Sequence, residues 1–107
     1  MGRLAGKTAI VVGAGQTPGD TIGNGRATAI RFTEEGATVL LVDINQESAE
    51  QTLVMLEARG GQGSVFVADV TDEAQCQAVA HACVHRYGRI DILQDRKSTR
   101  LNSSHRL

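Results

Sequence analysis

Three glycines, Gly13, Gly23 and Gly25, stand between a run of apolar residues, Ala9-Ile-Val-Val12, and a stretch of helical character that opens near Gly25. Residues without side chains let backbone N–H groups approach an anion closely, and they accept turn dihedrals that other residues resist. A strand that runs through such a turn into a helix is the geometry that cradles the diphosphate of a dinucleotide. Two carboxylates follow at telling places. Asp43 ends the run Thr38-Val-Leu-Leu-Val-Asp43, 18 residues after Gly25, and Asp69 ends Ser64-Val-Phe-Val-Ala-Asp69 and precedes Val70. Taken literally, the loop departs from the strict dinucleotide fingerprint: Gly13-Ala-Gly15 runs into Gln-Thr-Pro, and Gly23-Asn24-Gly25 into Arg-Ala-Thr. A lone glycine pattern is a weak signal, so the reading rests on the coincidence of loop, strand ends and helix starts.

The elements that must position these residues can be read in order. Lys7 to Val12 has no polar alternation, as in a parallel strand buried on both faces. A helix is expected from about Gly25 to Glu35, with Ala27, Ala29 and Ile30 available to the sheet and Gly36 as its stop. After the second strand, Thr38 to Asp43, Asn45 can cap a helix whose Ala49, Leu53 and Leu56 share a face and which ends at Gly60-Gly61. Ser64 to Asp69 is the third strand, and Thr71 or Asp72 caps a third helix. There Cys76, Val79, Ala80, Cys83 and Tyr87 form one apolar stripe before Gly88. A fourth strand begins with Ile90-Asp-Ile-Leu93. The alternation implies an α/β fold with a doubly wound parallel sheet, and right-handed crossovers favour strand order 3-2-1-4.

Composition narrows the class. At 107 residues, 41% hydrophobic and 21% charged, the chain reads as one ordinary globular domain, too short for a cofactor half plus a catalytic half. No apolar run approaches the roughly 18 to 20 residues of a membrane helix, and the first residues lack a signal-peptide core, so a cytoplasmic protein without a membrane partner is expected. Residues 1–94 carry seven Lys/Arg against eleven Asp/Glu, and such an acidic body does not suggest a nucleic-acid surface.

On these residues the sequence resembles the short-chain dehydrogenase/reductase family over residues 6–94. Gly13, Gly23 and Gly25 look like the glycines of its Thr-Gly-x-x-x-Gly-x-Gly motif, with Gly25-Arg-Ala27 continuing into the helix. Val12 stands in place of the Thr, and Gln16 to Thr21 look like six inserted residues. A register on Gly19, Gly23 and Gly25 matches the spacing but places Gly19 far from the strand end, so Gly13 is preferred. Gly88-Arg-Ile-Asp-Ile-Leu93 resembles the entry to the family's fourth strand. The resemblance implies a Rossmann-type fold, of which residues 1–94 are the N-terminal part. It also implies a cofactor site at Gly13, Gly23, Asn24, Gly25, Asp43, Asp69 and Val70, the last two at the adenine. A carboxylate at Asp43 accepts hydrogen bonds from ribose hydroxyls and repels a 2′-phosphate, so NAD is expected over NADP. The implied activity is hydride transfer between the cofactor and a small alcohol or ketone, in a homo-oligomer.

No catalytic residue is assignable. Tyr87, the only tyrosine, is followed four positions later by Asp91, not by the lysine of the family's Tyr-x-x-x-Lys pair, so a chain of this sequence is expected to be inactive. An enoyl-reductase-like member of the superfamily, a non-catalytic nucleotide-binding module and a methyltransferase are the competing readings. His81 and His85, i and i+4 on the third helix, lack a third ligand and are expected to be solvated; no metal site is expected. Cys76 and Cys83 are expected to act as small buried hydrophobes. Residues 95–107 reverse the charge, with four basic residues against one acidic, and lack apolar periodicity. Asp95 to His105 is similar to the translation of a widely used sequencing-library adapter, which implies a non-native, disordered tail.

Overall fold

A computed structural model of the chain describes residues 2–13 and 24–95. The elements are β1 (Thr8–Val12), α1 (Asn24–Glu34), β2 (Thr38–Asp43), α2 (Gln46–Glu57), β3 (Gln62–Val67), α3 (Glu73–Tyr87) and β4 (Ile92–Asp95). The four strands form one parallel sheet in the order β3-β2-β1-β4, as the crossover argument expects.

The sheet is buried from both sides, and this is why its central strands do not alternate in polarity. Ala9, Val11, Val39 and Leu41 point to one face and meet Ala29 of α1 and Leu56 of α2. Their neighbours Ile10, Leu40 and Val42 point to the other face and meet Val79 and Cys83 of α3. Helices on both faces make the sheet doubly wound, with the first crossing point beside β1.

The helix ends follow local chemistry. The Asn45 side chain accepts from the Ser48 N–H at 3.0 Å and starts α2, and Asp72 accepts from the Ala74 N–H at 3.0 Å and starts α3. Helix α3 stops at Gly88, which caps it in the left-handed region.

Several expectations shift by tertiary context. Helix α1 begins at Asn24 and ends at Glu34, and Ala27 is exposed while Ala29 is buried. At 100° per residue the two lie about 200° apart, so both cannot face the sheet. In α3 only Val79 and Cys83 are buried, and Cys76 is exposed, contrary to its expected place in the core. Residues 73–78 are all exposed, so the helix meets the sheet only from Val79 onward. Strand β3 starts at Gln62 and stops at Val67, leaving Asp69 beyond its end. Strand β4 starts at Ile92, and Asp95, expected in the tail, is its last residue and pairs with Val12.

The cysteine difference is directly testable. Burial pushes the Cys83 thiol up to about 11; the Arg86 charge lowers it and the Asp91 charge raises it. At neutral pH a thiol-specific reagent is expected to modify one cysteine per folded chain, Cys76, and both in denaturant. Rapid modification of Cys83 in the folded chain would contradict this packing.

Asp91 ties the start of β4 to the start of β1. Its Oδ2 accepts from the Thr8 N–H at 2.8 Å, and Arg89 donates from Nη2 to Oδ1 at 2.9 Å. Desolvation raises the Asp91 pKa, but the hydrogen bonds from Arg89 and Thr8 outweigh it and hold the carboxyl below its ordinary value of 3.8. A carboxyl with a lowered folded pKa stabilises the fold above its unfolded pKa and loses that contribution as pH falls through the folded value. Asp91→Asn is therefore expected to lower the melting temperature at pH 7, with the gap to wild type narrowing as pH falls below the ordinary carboxyl value of 3.8 and through the lowered one. A gap that persists undiminished in acid would count against the charge as its source.

Candidate dinucleotide-binding site

In a parallel sheet all carboxyl ends share one edge, and ligands bind outside that edge where the chain direction reverses. Here β1 feeds α1 and then β2 on one side, whereas α3 returns across the opposite face to β4 on the other side of β1. The reversal lies at the end of β1, and Gly13 occupies it.

Gly13 has a φ of +76°, a left-handed conformation that favours glycine. Its N–H donates to the Val42 carbonyl at 2.8 Å, so the chain leaves the sheet level with Asp43. Asp43 is the last residue of β2, opposite Val67, and its Oδ1 accepts from the Asn45 N–H at 3.0 Å. A carboxylate offers about four acceptor positions, so this bond is compatible with ribose hydroxyls as further donors. Asn24 is the first residue of α1, and Gly25, the second, is buried. Gly23 and the stretch Gln16 to Thr21, expected to be an insertion, lie outside the described residues.

Asp69 stands in the loop beyond β3. Its Oδ1 accepts from the Thr71 N–H at 3.0 Å and from the Thr71 hydroxyl at 2.5 Å, and its own N–H donates to Gln75 Oε1 at 2.8 Å. The carboxylate thus shapes its own turn, as short polar side chains do at loop starts. Val70 is half-buried against the α3 side of the core. Gly13, Asp43 and the Asp69-Val70 loop therefore follow the ends of three adjacent strands, β1, β2 and β3, at one edge.

The residues fit the adenosine diphosphate part of a dinucleotide. Helices α2 and α3 carry Glu47 and Glu73 in their first turns, whereas α1 carries no acidic residue there. The positive end of α1 is thus free of an acidic side chain in its own first turn, a setting that favours an anion.

Sequence reasoning missed Arg26. Its Nε donates to Thr52 Oγ1 at 2.9 Å, and its Nη2 donates to the Ser48 carbonyl at 3.2 Å and to Gln51 Oε1 at 3.3 Å. Thr52 is fully buried and Ser48 nearly so. The available signal was Ser48 and Thr52, four residues apart beside the apolar face of Ala49 and Leu56.

The other candidates resolve plainly. Tyr87 OH lies 2.6 Å from Ser64 Oγ and packs on the core, so it serves packing. His81 and His85 are exposed, and the described residues hold no group of three or more potential metal ligands. Among the described residues no helix is long and apolar enough to cross a membrane.

A family model described as short chain dehydrogenase matches residues 7–96. The chain belongs to the short-chain dehydrogenase family. An uncharacterized oxidoreductase of Bacillus subtilis (strain 168), YxbG, is 42% identical over 93 residues, covering 87% of this chain and 32% of that protein. The crystal structure of a hydroxysteroid dehydrogenase from Escherichia coli superposes with a TM-score of 0.79 at 34% identity, covering 87% of this chain and 37% of that one. An NAD+-bound xylitol dehydrogenase superposes with a TM-score of 0.76 at 33% identity, covering 85% of this chain and 33% of that one. The chain thus spans about a third of the length of these short-chain dehydrogenase relatives. The strand order of the described sheet is that of the Rossmann-type fold.

Proposed function

We propose that this segment is the adenosine-binding part of an NAD-dependent oxidoreductase that interconverts an alcohol and a ketone. The carrying observation is Asp43 at the tip of β2, level with the left-handed Gly13 at the tip of β1. In this reading the backbone amides at the start of α1, Asn24 and Gly25, receive the diphosphate, and the left-handed turn at Gly13, whose own N–H is held by the Val42 carbonyl, lets it approach the end of β1. Asp43 accepts from the adenosine ribose hydroxyls, and the Asp69-Val70 loop borders the adenine. The nicotinamide, when bound, supplies or accepts the hydride. Proton exchange with the substrate oxygen falls to residues other than Tyr87, whose hydroxyl is committed to Ser64.

The relatives support the reading, since one of them is an NAD+-bound xylitol dehydrogenase and another a hydroxysteroid dehydrogenase. The fold supports it too. A right-handed crossover from β4 to a further parallel strand places the next helix on the α3 face. That face holds a shallow groove lined by Ala78, Ala82, Val84 and Ile90 together with the polar His81, His85 and Arg86.

Calorimetric titration of the full-length protein with NAD and with NADP tests the proposal. NAD is expected to bind at least about tenfold more tightly, because a close 2′-phosphate meets the Asp43 carboxylate. Tighter binding of NADP, or binding of neither, overturns it. The 107-residue chain by itself is expected to turn over no secondary alcohol.

A further inference from the structure

Arg26 follows Gly25 directly, and its guanidinium reaches across to α2. From there a line of hydrogen bonds leads to the other half of the site. Arg26 Nη2 donates to the Ser48 carbonyl, the Ser48 N–H donates to Asn45 Oδ1, and the Asn45 N–H donates to Asp43 Oδ1. The residue beside the glycine turn is thus connected to the carboxylate at the tip of β2. Helices α1 and α2 also share the apolar core on that face, but apolar contact is non-directional and lets helices slide or rotate. A planar guanidinium with several acceptors is directional, and one nitrogen on the Thr52 hydroxyl with another on the Ser48 carbonyl fixes the mutual rotation of the two helices.

We propose that Arg26 is a positioning residue that holds the Asp43 carboxylate at a set place relative to the start of α1. It thereby determines how strongly the site reads the ribose 2′-hydroxyl. The inference rests on the reading of Asp43 given above, and adds a residue that touches neither phosphate nor ribose in that reading.

The full-length protein, titrated by calorimetry, is tested with ADP and with 2′-deoxy-ADP, which differ only in the hydroxyl. Wild type is expected to bind ADP about tenfold more tightly, the effect of one hydrogen bond to a charged group. Arg26→Met is expected to bring the two ligands within about twofold of each other. Arg26→Lys narrows the ratio as well, because a single ammonium cannot span the Thr52 and Ser48 acceptors in the same geometry. Thr52→Val, nearly equal in volume and remote from the glycine turn, removes the Nε acceptor and is expected to narrow the ratio in the same direction, which keeps the test decisive if Arg26→Met unfolds. A purely structural role for Arg26 would lower both affinities in parallel and leave their ratio intact, and that result overturns the proposal. If wild type itself does not distinguish the two ligands, the Asp43 reading fails and this one with it. A preserved wild-type ratio that none of the variants alters sinks this inference alone.

Discussion

Asp43→Asn in the full-length protein is expected to weaken NAD binding by about tenfold to a hundredfold and to strengthen NADP binding. A hydrogen bond to a charged group contributes roughly 1.5–3 kcal/mol, and the neutral amide forfeits that assistance. The second effect has a separate origin. A 2′-phosphate about 4 Å from a carboxylate near a protein surface is opposed by up to roughly 4 kcal/mol, and the substitution removes that repulsion. The two changes act on opposite sides of the ratio, so the preference for NAD should fall by about two orders of magnitude or more. The fold should survive, because an asparagine oxygen can still accept from the Asn45 N–H where Asp43 Oδ1 does now. Calorimetric titration with both cofactors, with thermal melts alongside, reads all three quantities. An NAD affinity within twofold of wild type would remove Asp43 from the site.

Gly63→Ala is expected to have the largest effect on stability. A Cβ at position 63 would lie 2.5 Å from the Val39 carbonyl oxygen, inside any real contact distance. Val39 cannot give way, since β2 is paired with β1 through Ala9 on its other side and is fully buried. Forcing atoms into such a site costs about 1–3 kcal/mol, occasionally more. In a domain of this size that lowers the melting temperature by about 4–24 °C. Gly60→Ala is the control: its φ of +83° carries left-handed strain of about 1–2 kcal/mol, but nothing lies within 4 Å of the added carbon. Far-UV circular dichroism melts should therefore order the chains as wild type, Gly60→Ala, Gly63→Ala. A Gly63→Ala chain that melts at or above Gly60→Ala would mean that β2 and β3 are not held as described.

Much of the fold was legible because its signals are local. Strand β2 runs from Thr38 to Asp43 as its residue run indicates, and Asn45 and Asp72 cap the helices they precede. Periodicity was less informative where it named a face without naming an opposite surface. Cys76 shares a helical stripe with Val79 and Cys83, yet residues 73–78 of α3 are all exposed, and it is exposed with them. Ala27 is apolar and adjacent to residues that dock, but rotation about the helix axis carries it to the solvent side. The site divides in the same way. Gly13 and Asp43 were readable as a strand-end glycine and a strand-end carboxylate. The hydrogen bonds by which Asp69 holds its own turn, and the clamp of Arg26 on α2, were not.

By itself the sequence determined the α/β class, the order of the strands and the residues gathered at their carboxyl ends. Those depend on β-branched runs, glycines and caps that act within a few residues, together with the handedness of crossovers. Only the tertiary structure decided which apolar residues found a surface to cover and which polar groups met across helices. The partners of Arg26 on α2 lie 22 to 26 residues away, and the carboxylate that accepts from the Thr8 N–H lies 83 away. Such pairings exist only after the sheet has brought distant segments side by side, so no window of sequence contains them.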